Sequence, residues 1–319
     1  MAVNRDKPDR WKQDIALSVD MYNHWFMNFA PEAFRKTRSQ TTENVEKTLK
    51  ITDNLTNIQP DILKKHPGIL PTLRMSTCPP LAVDRLIGLA GVPANLVKRM
   101  EKEKKMPVRM NREQLDAGLH KIGKIIEKMA DPDIFVWLSG SKPPAKDDVY
   151  RAATIAADRL CGSVANPIIR NAQEKRQLDA IRAWLESRGY GCLSPGDIKF
   201  DAMPAGTFSF HTNVPVKLES GIKQVNIPID VIIMPKSAGT GDFPIFIEAK
   251  SAGDFANVNK RRKEEAVKIN QLQKTYGERV SFNLFLCGYF DSGYLGYEAA
   301  EGIDWVWEHR IDDLEQLGV

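Results

Sequence analysis

The stretch FPIFIEAKS, Phe243 to Ser251, reads as a strand that is apolar for five residues and then abruptly charged. Successive strand side chains leave opposite faces, so Glu248 and Lys250, two apart, share one face. A lone Glu-x-Lys pair is ordinarily a solvated cross-strand contact. Here Ile245, Phe246 and Ile247 lead into it, which marks a core strand whose end carries charge. A second apolar run, QVNIPIDVIIM from Gln224 to Met234, lies just upstream and holds Asp230. The intervening PKSAGTGD is rich in turn formers and predicts a hairpin. Asp242, within that loop, reads as a turn residue more readily than as a site acid. Hairpin pairing brings Asp230 within range of Glu248. Two carboxylates converging at a sheet end suit magnesium, with manganese as a substitute, and the carbonyl of Ala249 is a further candidate ligand. Lys250 would then orient a water, lower its effective pKa, or stabilise charge on a phosphate oxygen. Metal and lysine together supply what phosphodiester hydrolysis needs: an activated water and neutralised transition-state charge.

Outward from this hairpin, the texture of the chain changes between residues 140 and 165. Before it, the patterns are helical. Asp9 to Phe29 spaces Ile15, Val19, Tyr22 and Phe26 at helical intervals, Pro31 suits a helix start, and Thr41 or Thr42 suits an N-cap. Asn111 to Ala130 is amphipathic and lysine-rich. After GSKPPAKDD, which reads as a loop, come a helix over DVYRAATIAADRLCG and a stronger one from Asn166 to Gly191. Strands follow over 208–218, 224–234 and 243–250, then a basic helix over about 255–276 and an apolar strand over 280–290. The order is α-β-β-β-α-β, with strands apolar enough to be covered on both faces.

The bulk properties bound the partners. The chain has 319 residues and a net charge of +4, which permits a polyanionic partner without demanding one. Cys78, Cys161, Cys192 and Cys287 are dispersed, with no metal-site spacing, and read as buried thiols of a reducing compartment. The five histidines, His24, His66, His120, His211 and His309, show no ligand spacing, so catalytic or zinc roles are not expected of them. Trp11, Trp25, Trp305 and Trp307 read as core or interface anchors. No apolar run reaches membrane-spanning length and the N-terminal stretch lacks a signal-peptide core, so the expectation is a soluble, cytoplasmic bacterial protein.

Asp230 followed by Glu248-x-Lys250, in this element order, resembles the PD-(D/E)XK nuclease superfamily. The resemblance implies an α/β (α+β) chain: a helical N-terminal region and an αβββαβ catalytic core around a central mixed sheet. The proline stands at Pro228, one place further back than the motif has it, and proline does no chemistry there. Catalytic residues on this reading are Asp230, Glu248, Lys250 and Glu174, with Asp230, Glu248 and Ala249 at the metal. Glu174 in RNAQEKRQL is either the acid such nucleases bring from the helix before the first strand, or a surface acid paired with Arg170, Lys175 or Arg176. Lys260, Arg261, Arg262 and Lys263 open the basic helix and either grip DNA phosphates or form a solvated face offset by Glu264 and Glu265. The basic stretch from Val97 to Arg112 carries the same two readings.

LRMSTCPPLAVDRLIGLAGVPANLVKRME, Leu73 to Glu101, followed by IIRNAQEKRQL and IDVII…FIEAKS, is similar to type II restriction endonucleases of the XamI-like family, over roughly residue 10 to the end. That resemblance implies magnesium-dependent cleavage of double-stranded DNA at a short palindrome, which for the founding member is GTCGAC. It also implies a homodimer, matching the two-fold symmetry of the site, and a cognate DNA methyltransferase. Residues 1–150 would form the recognition and dimerisation region and 151–319 the catalytic core. Arg74, Arg85, Asn213, Gln224 and Asn226 have side chains suited to reading base edges, and each is equally a loop or surface residue. Another DNA nuclease of the superfamily, or a binding protein on the same fold without catalysis, is the alternative.

Overall fold

The structure is a computed structural model and describes residues 2–140, 143–194, 199–217, 224–239, 241–256 and 258–319, the side chains of 258–262 excepted. The chain forms two compact units, one of residues 1–29 with 170–319 and one of residues 30–169. The boundary expected at 150/151 falls inside a single 42-residue helix, so the composition change there marks a loop before a helix.

Helix α1, Pro8–Ile51, is continuous, with Pro31 inside it. The break expected at Pro31 is absent. Thr41 and Thr42, read as possible caps, instead donate their hydroxyls to the Arg38 carbonyl, a local bond that lets threonine sit in a helix interior. The unit of residues 30–169 continues through α2 (Pro60–Lys65), α3 (Leu70–Met75), α4 (Val83–Ala90), α5 (Ala94–Lys102) and α6 (Arg112–Met129). Leu63, Leu70, Leu73, Leu96, Leu119 and Ile122 fill its core. Asn111 caps α6 by accepting the Gln114 amide at 2.7 Å. Arg74 is buried, its guanidinium forked onto Glu101 at 2.7 and 2.9 Å, so it braces this unit and is not available to read bases. Helix α7, Lys146–Ser187, carries Pro167 inside it, joining two helices the sequence separates.

The other unit is built on a sheet of β1 (Gly191–Leu193), β2 (Thr207–Lys217), β3 (Gln224–Met234), β4 (Ile245–Ala252), β5 (Ser281–Gly288) and β6 (Asp304–Trp307). Among the described residues these make one six-stranded sheet in chain order, with β2, β3 and β4 antiparallel and the other pairings parallel. Helix α8 (Val258–Tyr276) links β4 to β5, and α9 (Ser292–Ala300) links β5 to β6. One face buries Ile232, Phe246, Leu284 and Trp305 with Ile269, Leu272 and Leu295. The other buries Val231, Ile247, Phe285 and Val306 with Leu178, Ile181 and Leu185 of α7. Coverage on both faces explains why these strands are apolar without alternation. The mixed sheet and helical N-terminal region are those expected; β1 and β6, too short to stand out, are additions. Trp11 packs on Trp305 at 5.5 Å between centroids, and both serve the core. Cys161 and Cys287 are buried as expected, whereas Cys78 and Cys192 are exposed.

Candidate active site

Strands β3 and β4 pair only at Val231–Ile247, Ile232–Phe246 and Ile233–Ile245. Beyond Ile247, β4 runs on beside β5 as far as Ala252. The hairpin therefore parts at Asp230 and Glu248, and the charged residues of the opening stretch sit at that fork.

Asp230 is half-buried, and its Oδ2 accepts the amide of Ala249 at 2.9 Å. The amide of Ala249 is thus turned to Asp230. Burial and the neighbouring charge of Glu248 push the Asp230 carboxyl up to about 6, against the pull of Lys250 and Lys268. Glu248 is 1% exposed, and each of its oxygens meets a lysine: Oε2 accepts from Lys250 Nζ at 3.0 Å, Oε1 from Lys268 Nζ at 2.8 Å. A carboxylate this deep persists only because it is so paired. Burial works to lower the pKa of Lys250, but Glu248, Glu265 and Asp230 outweigh it and hold it above the ordinary lysine value. Lys250 is accordingly a fixed cation at neutral pH.

Two of these partners lay beyond the sequence reading. Lys268, on α8, bridges Glu248 and the Pro228 carbonyl, the latter at 3.1 Å. Glu265, one turn earlier, is 1% exposed, lies 3.9 Å from Lys250 Nζ, and accepts the Tyr294 hydroxyl at 2.7 Å. Burial raises its pKa, partly offset by Lys250 and Tyr294. In the sequence Glu265 passed for an offset to the basic cluster. The available signal was its spacing: Glu265, Lys268, Ile269 and Leu272 share the inward face of α8.

Behind the fork, Gln177 of α7 is fully buried and donates to the Lys250 and Phe285 carbonyls, both at 3.2 Å, fixing the end of β4. A cavity of about 240 Å³ opens there, lined among others by Arg170, Gln173, Glu174, Asp230, Lys250 and Glu264. Glu174 is exposed, and it does approach Asp230. A carboxylate oxygen of each and a ring nitrogen of His211 all lie within 4.8 Å of one another. Arg176, a suggested partner for Glu174, pairs instead with Glu308 at 2.9 Å.

His211 stands opposite Asp230, because the β2–β3 register runs on unchanged on either side, from Phe210–Val231 to Thr212–Ile229. Its φ is +49°, left-handed backbone inside a strand, which costs about 1–2 kcal/mol for a residue with a side chain. The two strands turn over at this point. Phe210 packs on one face of the sheet and Val214 on the other, and Ile229 and Val231, two apart, likewise pack on opposite faces. Regular strand geometry would keep such pairs together. Residues 174, 211 and 230 are far apart in the sequence and meet only through the fold.

Of the basic cluster, Lys263 is exposed, while the side chains of Lys260, Arg261 and Arg262 lie outside those described. Asn213, Gln224 and Asn226 are exposed on β2 and β3, and Arg85 on α4. Asp242 accepts the Gly239 amide at 2.7 Å, as a turn residue does. No helix among the described residues is long and apolar enough to cross a membrane.

The profile of the XamI restriction endonuclease family matches residues 53–307. The type II restriction enzyme SalI of Streptomyces albus G is 51% identical over 317 residues, spanning 99% of each chain. Among solved structures, that of protein VC1899 from Vibrio cholerae aligns with 90% of this chain and 55% of its own, at 12% identity and a TM-score of 0.28, a likeness that bears on neither fold nor function.

Proposed function

The chain belongs to the XamI restriction endonuclease family, and from that premise we propose that it is a type II restriction endonuclease. It hydrolyses both strands of DNA at a short palindrome, acts as a homodimer in the bacterial cytoplasm, and works beside a DNA methyltransferase that protects the host. GTCGAC, the founding member's site, is the first sequence to try. The observation that carries the cleavage reading is the fork of β3 and β4, where Asp230, Glu248 and Lys250 meet in the order a phosphodiesterase needs.

The donor set at the fork fits a hard divalent cation: two carboxylates, with the Ala249 carbonyl as a third candidate. Held by Asp230 and Glu248, magnesium or manganese would supply an activated water and a Lewis acid for the phosphate. The chain's own residues do the rest. Lys250, a fixed cation restrained by Glu248, orients the attacking water and neutralises charge on a non-bridging phosphate oxygen. Lys268 pairs with the buried Glu248, and Glu265 positions Lys250 from behind. Lys263 and its basic neighbours on α8 lie near the site in sequence and are assigned the DNA backbone.

The test separates chemistry from binding. Asp230→Ala, Glu248→Ala and Lys250→Ala are each expected to lower the single-turnover cleavage rate by at least ~100-fold, on the scale of losing one transition-state charge contact. Gel-shift affinity for DNA with Ca²⁺ should stay near that of the native protein. Cleavage at the native rate by Asp230→Ala would overturn the site assignment.

A further inference from the structure

We propose that the ribbon of β2 and β3 beyond the fork reads DNA sequence, its exposed face laying Asn213 and Asn226 against base edges in the major groove. Strand β1 pairs with β2 only as far as Ser209, and β4 joins β3 only from Val231. Among the described residues, the two strands pair beyond those limits with each other alone, out to Lys217 and Gln224. Their side chains divide by face. Val214, Val216, Ile227 and Ile229 are buried with Ile269 and Leu272 of α8. The opposite face sets Asn213 beside Pro228, Pro215 beside Asn226 and Lys217 beside Gln224, all exposed or half-buried. Asp230 lies at the inner end of the ribbon, so the exposed face is continuous with the cleavage site. It carries amides, prolines and Lys217, and no described acid before Asp230, so a polyanion meets no repulsion along it. The major groove, about 12 Å wide, admits a two-stranded ribbon, and asparagine there matches the N6 and N7 edge of adenine. From Asp230 to Asn226 is about 13 Å of strand, or about four base-pair steps, which keeps the contacts within a short half-site. The ribbon is braced before DNA arrives: the Lys217 amide donates to Thr275 Oγ1 at 3.0 Å, and the Tyr276 hydroxyl to the Pro215 carbonyl. Pro215 and Pro228 remove one N–H from each strand, which disfavours addition of a further strand and leaves the polar face as the binding surface.

This assignment rests on reading the fork as a DNA cleavage site, and the experiment keeps the two apart by measuring binding with Ca²⁺ in place of Mg²⁺. The full-length native protein and its variants each select from a library of short randomised duplexes, and the recovered pools are sequenced. The native pool is expected to share one palindrome with an A·T pair in each half. The double variant Asn213→Ala/Asn226→Ala removes two exposed side chains and should fold, which circular dichroism and thermal melting check. It is expected to lose about tenfold or more in preference at that A·T pair. Its affinity for a duplex of unrelated sequence should change less than about threefold, since phosphate contacts carry that binding. Replacing the adenine by 7-deazaadenine, which lacks N7, should weaken the native protein about tenfold and the double variant less than about twofold. Asn226→Asp should move preference at its pair toward cytosine, whose N4 donates to a carboxylate. A double variant that keeps the native preference, or loses affinity for selected and unrelated duplexes alike, overturns the proposal. Variants that keep the preference but no longer self-associate would assign this face to a second copy of the chain, which also overturns it. Native protein that selects its palindrome through these amides yet leaves DNA whole with Mg²⁺ would sink the cleavage reading and support this one.

Discussion

Asp230 is a carboxyl held against its own charge. It loses its proton near 3.8 when unfolded and at about 6 in the fold, so the folded state binds the proton more tightly. The stabilisation from that proton is complete below pH 3.8 and is lost as pH rises through 6. Asp230→Asn removes the repulsion with Glu248, and the metal-free variant should exceed the native protein in stability above pH 6 by on the order of 2 kcal/mol. Urea midpoints at pH 5 and pH 8 check this, and a gain that is larger at pH 5 would contradict it. Lys268 makes the opposite case. Lys268→Met leaves buried Glu248 with Lys250 as its remaining lysine partner and should cost about 1–3 kcal/mol without metal. Added Mg²⁺ should recover part of that loss, since the ion would take the vacated oxygen; unfolding curves with and without Mg²⁺ report it. At this scale the sequence was partly legible. Glu248 and Lys250 show themselves by a two-residue period at the end of an apolar run, and Asp230 by a hairpin of ordinary length. Lys268, Glu265 and His211 do not, because each meets its partner 15 or more positions away across an element boundary.

At the scale of elements, the fork depends on how β4 and β5 end together. Gly288 closes β5 opposite Ala252, at φ +102°, and a Cβ placed there would lie 2.1 Å from the Ala252 carbonyl oxygen. Gly288→Ala thus meets both the wrong backbone region and a backbone atom that does not yield. It should lose at least about 2 kcal/mol in urea unfolding and displace the end of β4; an unchanged midpoint would show that β5 ends differently. The strands were readable because their apolar runs are long and bounded by turn formers. The long helices were misread at Pro31 and Pro167, since proline disfavours but does not forbid continuation where tertiary packing holds the helix. At β6, four residues of DWVW are buried, too few to give a period.

Across the whole molecule, helix-rich and sheet-rich regions were foreseen, but the division at 150 was not the one found. Residues 1–29 belong with the sheet, where Trp11 and Ile15 pack on its core. Nothing local in an amphipathic helix tells which distant surface its apolar face will cover. The burial pattern makes a direct check: a thiol reagent should label Cys78 and Cys192 in the native protein and reach Cys161 and Cys287 only on unfolding. Burial and Glu308 push the Cys287 thiol up to about 12, which further suppresses its reactive thiolate. Labelling of all four without denaturant would mean the two cores are not packed as described. The function itself is decided by one digest. A long DNA of known sequence, incubated with the native protein and Mg²⁺, should yield a fixed ladder of fragments whose ends share one palindrome, and Glu248→Ala should leave the DNA whole. A smear of random ends, or an identical ladder from the Glu248 variant, would contradict the account.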